Sequence, residues 1–206
     1  MHVPVIEDPD QYSTDFTKCL KFLRDWQSQR VESHTDGDDG SRTLDVLILG
    51  GLGGRVDQAF SQIHHLSAFD AKWGRSAHAE NDKLSLNLYL VSEESITFIL
   101  HPGRNIIHTP GTNRPDASSS KTSKDEEKDS ERAYYLEENV GIIPFLGPTK
   151  ITTHGFEWDV THWPTQIGKQ ISTSNHIRAD VVEVDCEESV LFTLELATRL
   201  KLWERH

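Results

Sequence analysis

The 206-residue sequence lacks the features that mark several classes of protein. Its two cysteines, Cys19 and Cys186, cannot build a disulfide framework and show no metal-ligand spacing. No apolar run approaches the roughly 18–20 residues that a membrane-spanning helix needs. The N-terminus has neither the basic start nor the apolar stretch of a secretory signal. We therefore expect a cytoplasmic protein with reduced thiols and no membrane partner.

Basic side chains are also scarce. Twenty-one Lys and Arg residues stand against 33 Asp and Glu residues, which gives a formal net charge of −12. A surface that binds nucleic acid or an anionic membrane needs a basic face to neutralise phosphates, so we expect no nucleic-acid partner. ATP remains compatible with this charge, because backbone N–H groups, an arginine and a divalent metal can neutralise its phosphates locally.

The first part of the chain predicts an α/β layer. Apolar residues recur at helical spacing over about residues 15–29, and Thr14 or Asp15 is the expected N-cap. The apolar run 45–49 ends in glycines, as buried strands of parallel sheets do. A helical pattern from Val56 and a strand at 86–91 complete a βαβ unit.

The second part predicts an antiparallel β-sandwich or barrel. Short β-type runs, separated by turn residues, lie at 95–100, 140–145, 150–153, 181–185 and 190–196. We place a partial, truncated parallel α/β/α domain at residues 1–102 and the β-sandwich at 103–206. A stretch rich in Ser, Lys, Asp and Glu predicts a disordered insertion at about 112–133.

The sharpest local pattern is the glycine turn, Gly50–Gly54, followed by Arg55 and Asp57. A glycine turn before a helix lets the backbone approach an anion, and the helix N-terminus favours phosphate there. The spacing is neither Gly-x-Gly-x-x-Gly nor that of a P-loop. Arg55 could bind phosphate oxygens and Asp57 a metal or substrate group, or both could simply be solvated or capping residues.

Two other polar clusters are candidates for binding. Asp10–Asp15 offers carboxylates and an amide beside a helix start, which suits magnesium or a hydroxyl substrate, although N-capping alone explains it as well. Ser172–Asn175 could hydrogen-bond a heterocycle on which Trp158 stacks; the alternatives are a polar turn and a core tryptophan. The 11 histidines show no ligand spacing, and we interpret them as surface or packing residues.

Taken in order, four motifs resemble those of eukaryotic-type thiamine pyrophosphokinases, over about Gln11 to Leu196. They are Gln11-x-x-Thr14-Asp15-Phe16-x-Lys18-Cys19-Leu20, Gly50-Gly51-x-Gly53-Gly54-Arg55-x-Asp57-Gln58, Gly141-Ile142-Ile143-Pro144 and Ser172-Thr173-Ser174-Asn175. The resemblance implies transfer of pyrophosphate from ATP to thiamine, with Mg²⁺, giving thiamine diphosphate and AMP. It also implies a homodimer whose active sites join one subunit's α/β domain to the other's β domain.

The resemblance assigns a role to each matching residue. It implies catalytic roles for Asp15, Arg55 and Asp57, with Asp15 also the metal ligand. It implies nucleotide binding by Gln11, Thr14, Gly51, Gly53, Gly54 and Gln58, and thiamine binding by Trp158, Ser172, Ser174 and Asn175.

The sequence departs from the family pattern in two places. Tyr12 stands where many relatives have an acidic residue, and the family's Gly-Asp-x-Asp-Ser motif is absent from the 206 residues. We therefore expect the chain to lack the N-terminal part of the catalytic domain. A catalytically inactive thiamine-binding and dimerisation module is the alternative function, and an unrelated nucleotide-binding α/β protein is a third.

Overall fold

The computed structural model describes residues 5–33, 43–73, 85–115 and 134–201. The helices are α1 (Asp15–Ser33), α2 (Val56–Trp73) and α3 (Thr198–Lys201). The strands are β1 (Thr43–Leu49), β2 (Ser85–Val91), β3 (Ser95–Leu100), β4 (Gly103–His108), β5 (Thr112–Asn113), β6 (Leu136–Ile143), β7 (Thr149–His154), β8 (Trp163–Thr165), β9 (Ser172–His176), β10 (Val181–Cys186) and β11 (Val190–Leu196). In this part of the chain, no helix has the length and apolar character needed to cross a membrane.

The chain forms two compact units, Met1–Val46 with Ala68–Asn87, and Leu47–Ser67 with Leu88–His206. In the first unit, α1 begins at the predicted place because the Thr14 hydroxyl accepts the backbone N–H of Thr17 at 3.2 Å. This confirms Thr14 as the N-cap.

The strands in the described residues pair into two sheets. The larger has the order β1-β2-β3-β11-β6-β5, with β9 also paired to β6, and the smaller has the order β4-β10-β7-β8. Strand β11 lies antiparallel between β3 and β6, whereas the short β5 runs parallel to β6. The larger sheet is therefore mixed, and strands far apart in the chain form its centre.

The second unit has its core between the two sheets. Alternate residues of each strand point inward, so each sheet contributes one apolar face. The larger sheet supplies Leu100, Val140, Ile142, Val190, Phe192 and Leu194, and the smaller supplies Ile151, Val182, Val184 and Cys186. Phe192 at the centre is fully buried.

Several predicted boundaries differ from the structure, and two of these differences have a clear physical reason. Strand β6 ends at Ile143, earlier than predicted, since the following Pro144 has no N–H to pair. The predicted disorder from Thr112 is wrong at its start, because Thr112 is only 3% exposed and its hydroxyl donates to the Thr109 carbonyl at 2.7 Å. Residues 116–133 lie outside the described ranges. The boundary after residue 102 stays a prediction; β3 before it and β11 after it share one sheet.

Candidate functional site

The glycine turn joins β1 to α2 and is held to the neighbouring strand. Gly50 has a φ of 75°, a left-handed conformation that favours glycine, and its N–H donates to the Val91 carbonyl at 2.7 Å. A Cβ on Gly51 would lie 3.0 Å from Leu90 Cδ2. At Gly53, by contrast, no described atom lies within 4 Å of an added Cβ. The protein's own packing therefore requires a small residue at position 51, whereas at 53 the space is open to a ligand.

Arg55 and Asp57 form an ion pair beside this turn. Arg55 Nε donates to Asp57 Oδ1 at 3.0 Å, and a terminal guanidinium nitrogen donates to Oδ2 at 2.6 Å. The Arg55 bond holds the pKa of Asp57 below its usual value. The two side chains are 75% and 60% exposed, so a phosphate can exchange for the carboxylate without burying a charge. Arg55 also starts α2, since its carbonyl accepts the Gln58 N–H at 3.1 Å.

The segment before α1 is folded around Asp10. The Asp10 carboxylate accepts the Tyr12 N–H at 2.9 Å and the Ser13 hydroxyl at 2.5 Å, and the Ser13 bond is the main cause of its lowered pKa. Gln11 is exposed, and the Asp15 carboxylate is exposed, 4.0 Å from Lys18 Nζ. The capping interpretation thus accounts for Thr14, while Gln11 and Asp15 face solvent, where a ligand can reach them.

The described residues do not form a metal cage of their own. Among residues 5–33, 43–73, 85–115 and 134–201, no three His, Cys, Asp or Glu side chains lie close enough together to hold an ion. Mg²⁺ bound to a nucleotide commonly takes only one or two carboxylates, and phosphates and water complete its shell. Asp15 can supply one such oxygen.

Trp158 is presented at the surface by a buried asparagine. Its side chain is 55% exposed, so it is not a core tryptophan, whereas Asn175 is only 6% exposed. Asn175 Oδ1 accepts the N–H groups of Trp158 at 3.2 Å and His176 at 2.8 Å, and Nδ2 donates to the Trp158 carbonyl at 3.0 Å. Asn175 therefore fixes the backbone that carries the indole.

The turn that carries Trp158 is closed by a second side chain, Asp159. One Asp159 oxygen accepts the Gly155 N–H at 3.0 Å, and the other accepts the Phe156 N–H and the Thr153 hydroxyl, both at 3.2 Å. Gly155 itself has a φ of 91°. The turn is thus defined by hydrogen bonds at both ends.

The serines of the predicted motif lie on β9, next to Asn175. Ser174 has a φ of 56°, which is unusual for a non-glycine residue, at the place where the β6–β9 register shifts. Thr173 and Ser174 line an open groove of about 430 Å³ together with Asn139 and Glu195. The hydroxyl of Ser174 is therefore accessible, and the backbone that presents it is strained.

Sequence reasoning missed a charged network behind Trp158. His176 Nδ1 lies 2.6 Å from Glu157 Oε2, and Arg178 bonds to both Glu157 and Glu138. The His176 bond is the first cause of the lowered pKa of Glu157. The imidazole and indole centroids are 5.0 Å apart, so His176 is a packing residue, as expected, and it also bonds to Glu157. The only signal in the sequence was its position directly after Asn175.

Comparison with known proteins points to one family. Residues 1–75 match the family described as "Thiamin pyrophosphokinase, catalytic domain", and residues 125–191 match "Thiamin pyrophosphokinase, vitamin B1 binding domain". The glycine turn falls in the first match, and Trp158 with the β9 motif falls in the second.

Individual relatives agree with both matches. Thiamine pyrophosphokinase 2 of Arabidopsis thaliana is 22% identical over 191 residues, 92% of this chain and 55% of its own length. Thiamine pyrophosphokinase of Saccharomyces cerevisiae is 23% identical, and the match covers 94% of this chain and 62% of its own length. The chain thus spans little more than half the length of the curated relatives it matches.

A solved structure shows the same fold. Thiamin pyrophosphokinase from Candida albicans superposes with a TM-score of 0.63 at 19% identity, covering 90% of this chain and 62% of that chain. This likeness confirms the predicted fold class, an α/β part followed by a β-sandwich, here built as a mixed sheet and an antiparallel sheet.

Proposed function

This chain belongs to the thiamine pyrophosphokinase family, and from that premise we propose that it acts in the transfer of pyrophosphate from ATP to thiamine, giving thiamine diphosphate and AMP. One observation carries the proposal: Trp158, whose indole is exposed and whose backbone is held by the buried Asn175, lies in the segment that matches the vitamin B1 binding domain. An exposed indole on a fixed backbone suits a ligand with an aromatic ring, and the serine hydroxyls of β9 offer partners for polar groups.

Thiamine offers such chemistry to this site. Its pyrimidine ring can stack on Trp158, and its cationic thiazolium ring is attracted to the indole face. The hydroxyls of Ser172 and Ser174, both on β9, can donate and accept hydrogen bonds. Asn175 serves mainly through the backbone of Trp158, because both ends of its amide are already bonded there.

The glycine turn and Arg55 are the proposed nucleotide site. The open space at Gly53 lets phosphate approach the backbone, and Arg55 can release Asp57 to bind phosphate oxygens. In the reaction, the thiamine hydroxyl oxygen bonds to the β-phosphorus of ATP, the α–β bridging bond breaks, and AMP leaves. The released hydroxyl proton passes to a carboxylate, for which Asp57 and Asp15 are the candidates. The protein mainly positions these groups and neutralises charge.

Several finer assignments belong to the same proposal. Magnesium would enter bound to ATP, with Asp15 as one ligand and Gln11 nearby in sequence; the described residues alone do not complete its coordination. The working form would be a homodimer in the cytoplasm, with thiamine and ATP as its small-molecule partners. The net charge of −12 disfavours nucleic acid as a partner.

Calorimetric titration of the purified chain with thiamine tests the proposal. Trp158→Ala should weaken binding about tenfold, as stacking on an aromatic face contributes roughly 1.5 kcal/mol, and Trp158→Phe should weaken it less. Ile167→Ala, at another exposed apolar side chain, is the matched control. Chromatography of AMP and thiamine diphosphate then measures turnover with Mg–ATP. Thiamine binding without turnover would favour a binding module, and absence of thiamine binding by the unmodified chain would refute the proposal.

A further inference from the structure

We propose that His176 and Arg178 are positioning residues that hold the Trp158 indole, through Glu157, in the orientation that receives a flat organic cation. The proposal rests on the proposed function only for the identity of that cation as thiamine. The positioning itself rests on the contacts around the indole.

The backbone of the Trp158 turn is bonded to the end of β9. Phe156 and Ile177 form an antiparallel bridge. The Glu157 N–H donates to the His176 carbonyl at 2.9 Å, and the Arg178 N–H donates to the Gly155 carbonyl at 2.8 Å. These bonds place the side chains of the turn and of β9 next to one another. They leave the indole's own rotation undetermined, since more than half of its surface faces solvent.

The imidazole of His176 supplies the contact that the indole needs. The two ring centroids are 5.0 Å apart at an interplanar angle of 45°. The side chain of His176 is itself only 24% exposed, and its Nδ1 is 2.6 Å from Glu157 Oε2. The imidazole cannot rotate away from the indole without breaking that bond.

Arg178 extends the support to the sheet. Its guanidinium bonds to Glu157 on the turn and to Glu138 on β6, and it also lies 3.1 Å from His176 Nδ1. The Arg178 side chain is only 24% exposed, so these pairs are better shielded from solvent than an ordinary surface ion pair. The chain of contacts therefore runs from strand β6 to the face of Trp158.

The charges of this network favour a cation at the indole. Glu138 and Glu157 carry two negative charges and Arg178 one positive charge, so these three side chains together are net negative. A cation over the indole then gains from both the π face and the network.

The test uses the full chain labelled with 5-fluorotryptophan, whose Trp158 ¹⁹F resonance is assigned from Trp158→Phe. His176→Ala should shift this resonance toward that of the free amino acid and weaken thiamine binding about two- to fivefold. His176→Gln also removes the ring contact and should move the resonance in the same direction, and it replaces His176→Ala if that variant does not fold. His108→Ala, at an exposed histidine of β4, is the control and should change neither property.

The outcomes separate the two proposals. A Trp158 resonance unchanged in both His176 variants overturns the positioning role, whatever happens to thiamine. If the unmodified chain does not bind thiamine but the resonance shifts in His176→Ala, the proposed function fails and the positioning role holds.

Discussion

Replacing Gly155 with alanine should destabilise the second unit through two separable effects. The residue has a φ of 91°, where a Cβ costs about 1–2 kcal/mol. A Cβ there would also lie 3.1 Å from the Val181 carbonyl oxygen and 3.3 Å from Ala179 Cβ and Val182 Cγ1. Crowding of this kind costs about 1–3 kcal/mol, so strain and crowding together should cost about 2–5 kcal/mol.

Gly103→Ala separates backbone strain from crowding. Gly103 has nearly the same φ, 95°, but no described atom lies within 4 Å of an added Cβ. This variant should lose only about 1–2 kcal/mol, which is the strain alone. The difference between the two variants therefore measures how tightly the start of the Trp158 turn packs on β10.

Urea unfolding, monitored by circular dichroism, measures the free energy of unfolding of both variants. Thermal unfolding gives Tm as a second measurement. For a chain of this size each kcal/mol lowers Tm by about 2–4 °C, so Gly155→Ala should melt about 4–20 °C below the unmodified protein. Equal losses in the two variants would refute the crowding argument. An unchanged Tm in Gly155→Ala would show that the turn backbone is not fixed as described.

Three other outcomes follow from single contacts. Ser174→Gly should leave Tm unchanged or raise it, because it relieves a φ of 56°, while thiamine affinity in calorimetry falls with the lost hydroxyl; a lower Tm would contradict the strain. Burial raises the pKa of Cys186 to about 11, and Cys19 is exposed, so iodoacetamide at pH 8 should label one thiol per folded chain by mass spectrometry, not two. Arg104 holds the pKa of Glu183 below its usual value through bonds at 2.6 and 2.9 Å. The pair therefore stabilises the fold above the carboxyl's unfolded pKa and stops doing so as pH falls through the folded pKa. NMR titration of the Glu183 carboxyl should show a higher pKa in Arg104→Ala than in the unmodified protein. An unchanged pKa would contradict the pairing.

Apolar patterning made much of the fold predictable. The runs at 95–100 and 190–196 coincide with β3 and β11, because buried strands need β-branched and aromatic residues. The run at 45–49 lies within β1, but its predicted burial is wrong, since Leu47 and Leu49 are 61% and 76% exposed. Strand β9 has no such pattern: Ser-Thr-Ser-Asn-His pairs with β6 through backbone bonds alone. Residues 172–176 form a strand because they pair with β6, which lies some thirty residues away in the chain. A local sequence pattern carries no information about such a distant partner.

The candidate site, like the fold, could be predicted from the sequence only in part. The glycine turn and the β9 motif were found because unusual residue types occur close together in the sequence. The support of Trp158 was not found, because Glu157, His176 and Arg178 meet only after the turn and β9 have paired. The strained φ of Ser174 also has no sequence signal, since serine is an ordinary residue in turns.

The pairing of β3 with β11 also has a consequence for how the protein is made. The ribosome synthesises β3 roughly ninety residues before β11. Synthesis of the two strands is therefore separated by on the order of ten seconds. Until then, Ile96, Phe98 and Leu100 have no sheet partner on that side, and the nascent chain exposes an apolar strand edge. Nascent-chain chaperones should bind this segment, and stalling translation before β11 should leave it open to proteases and to aggregation.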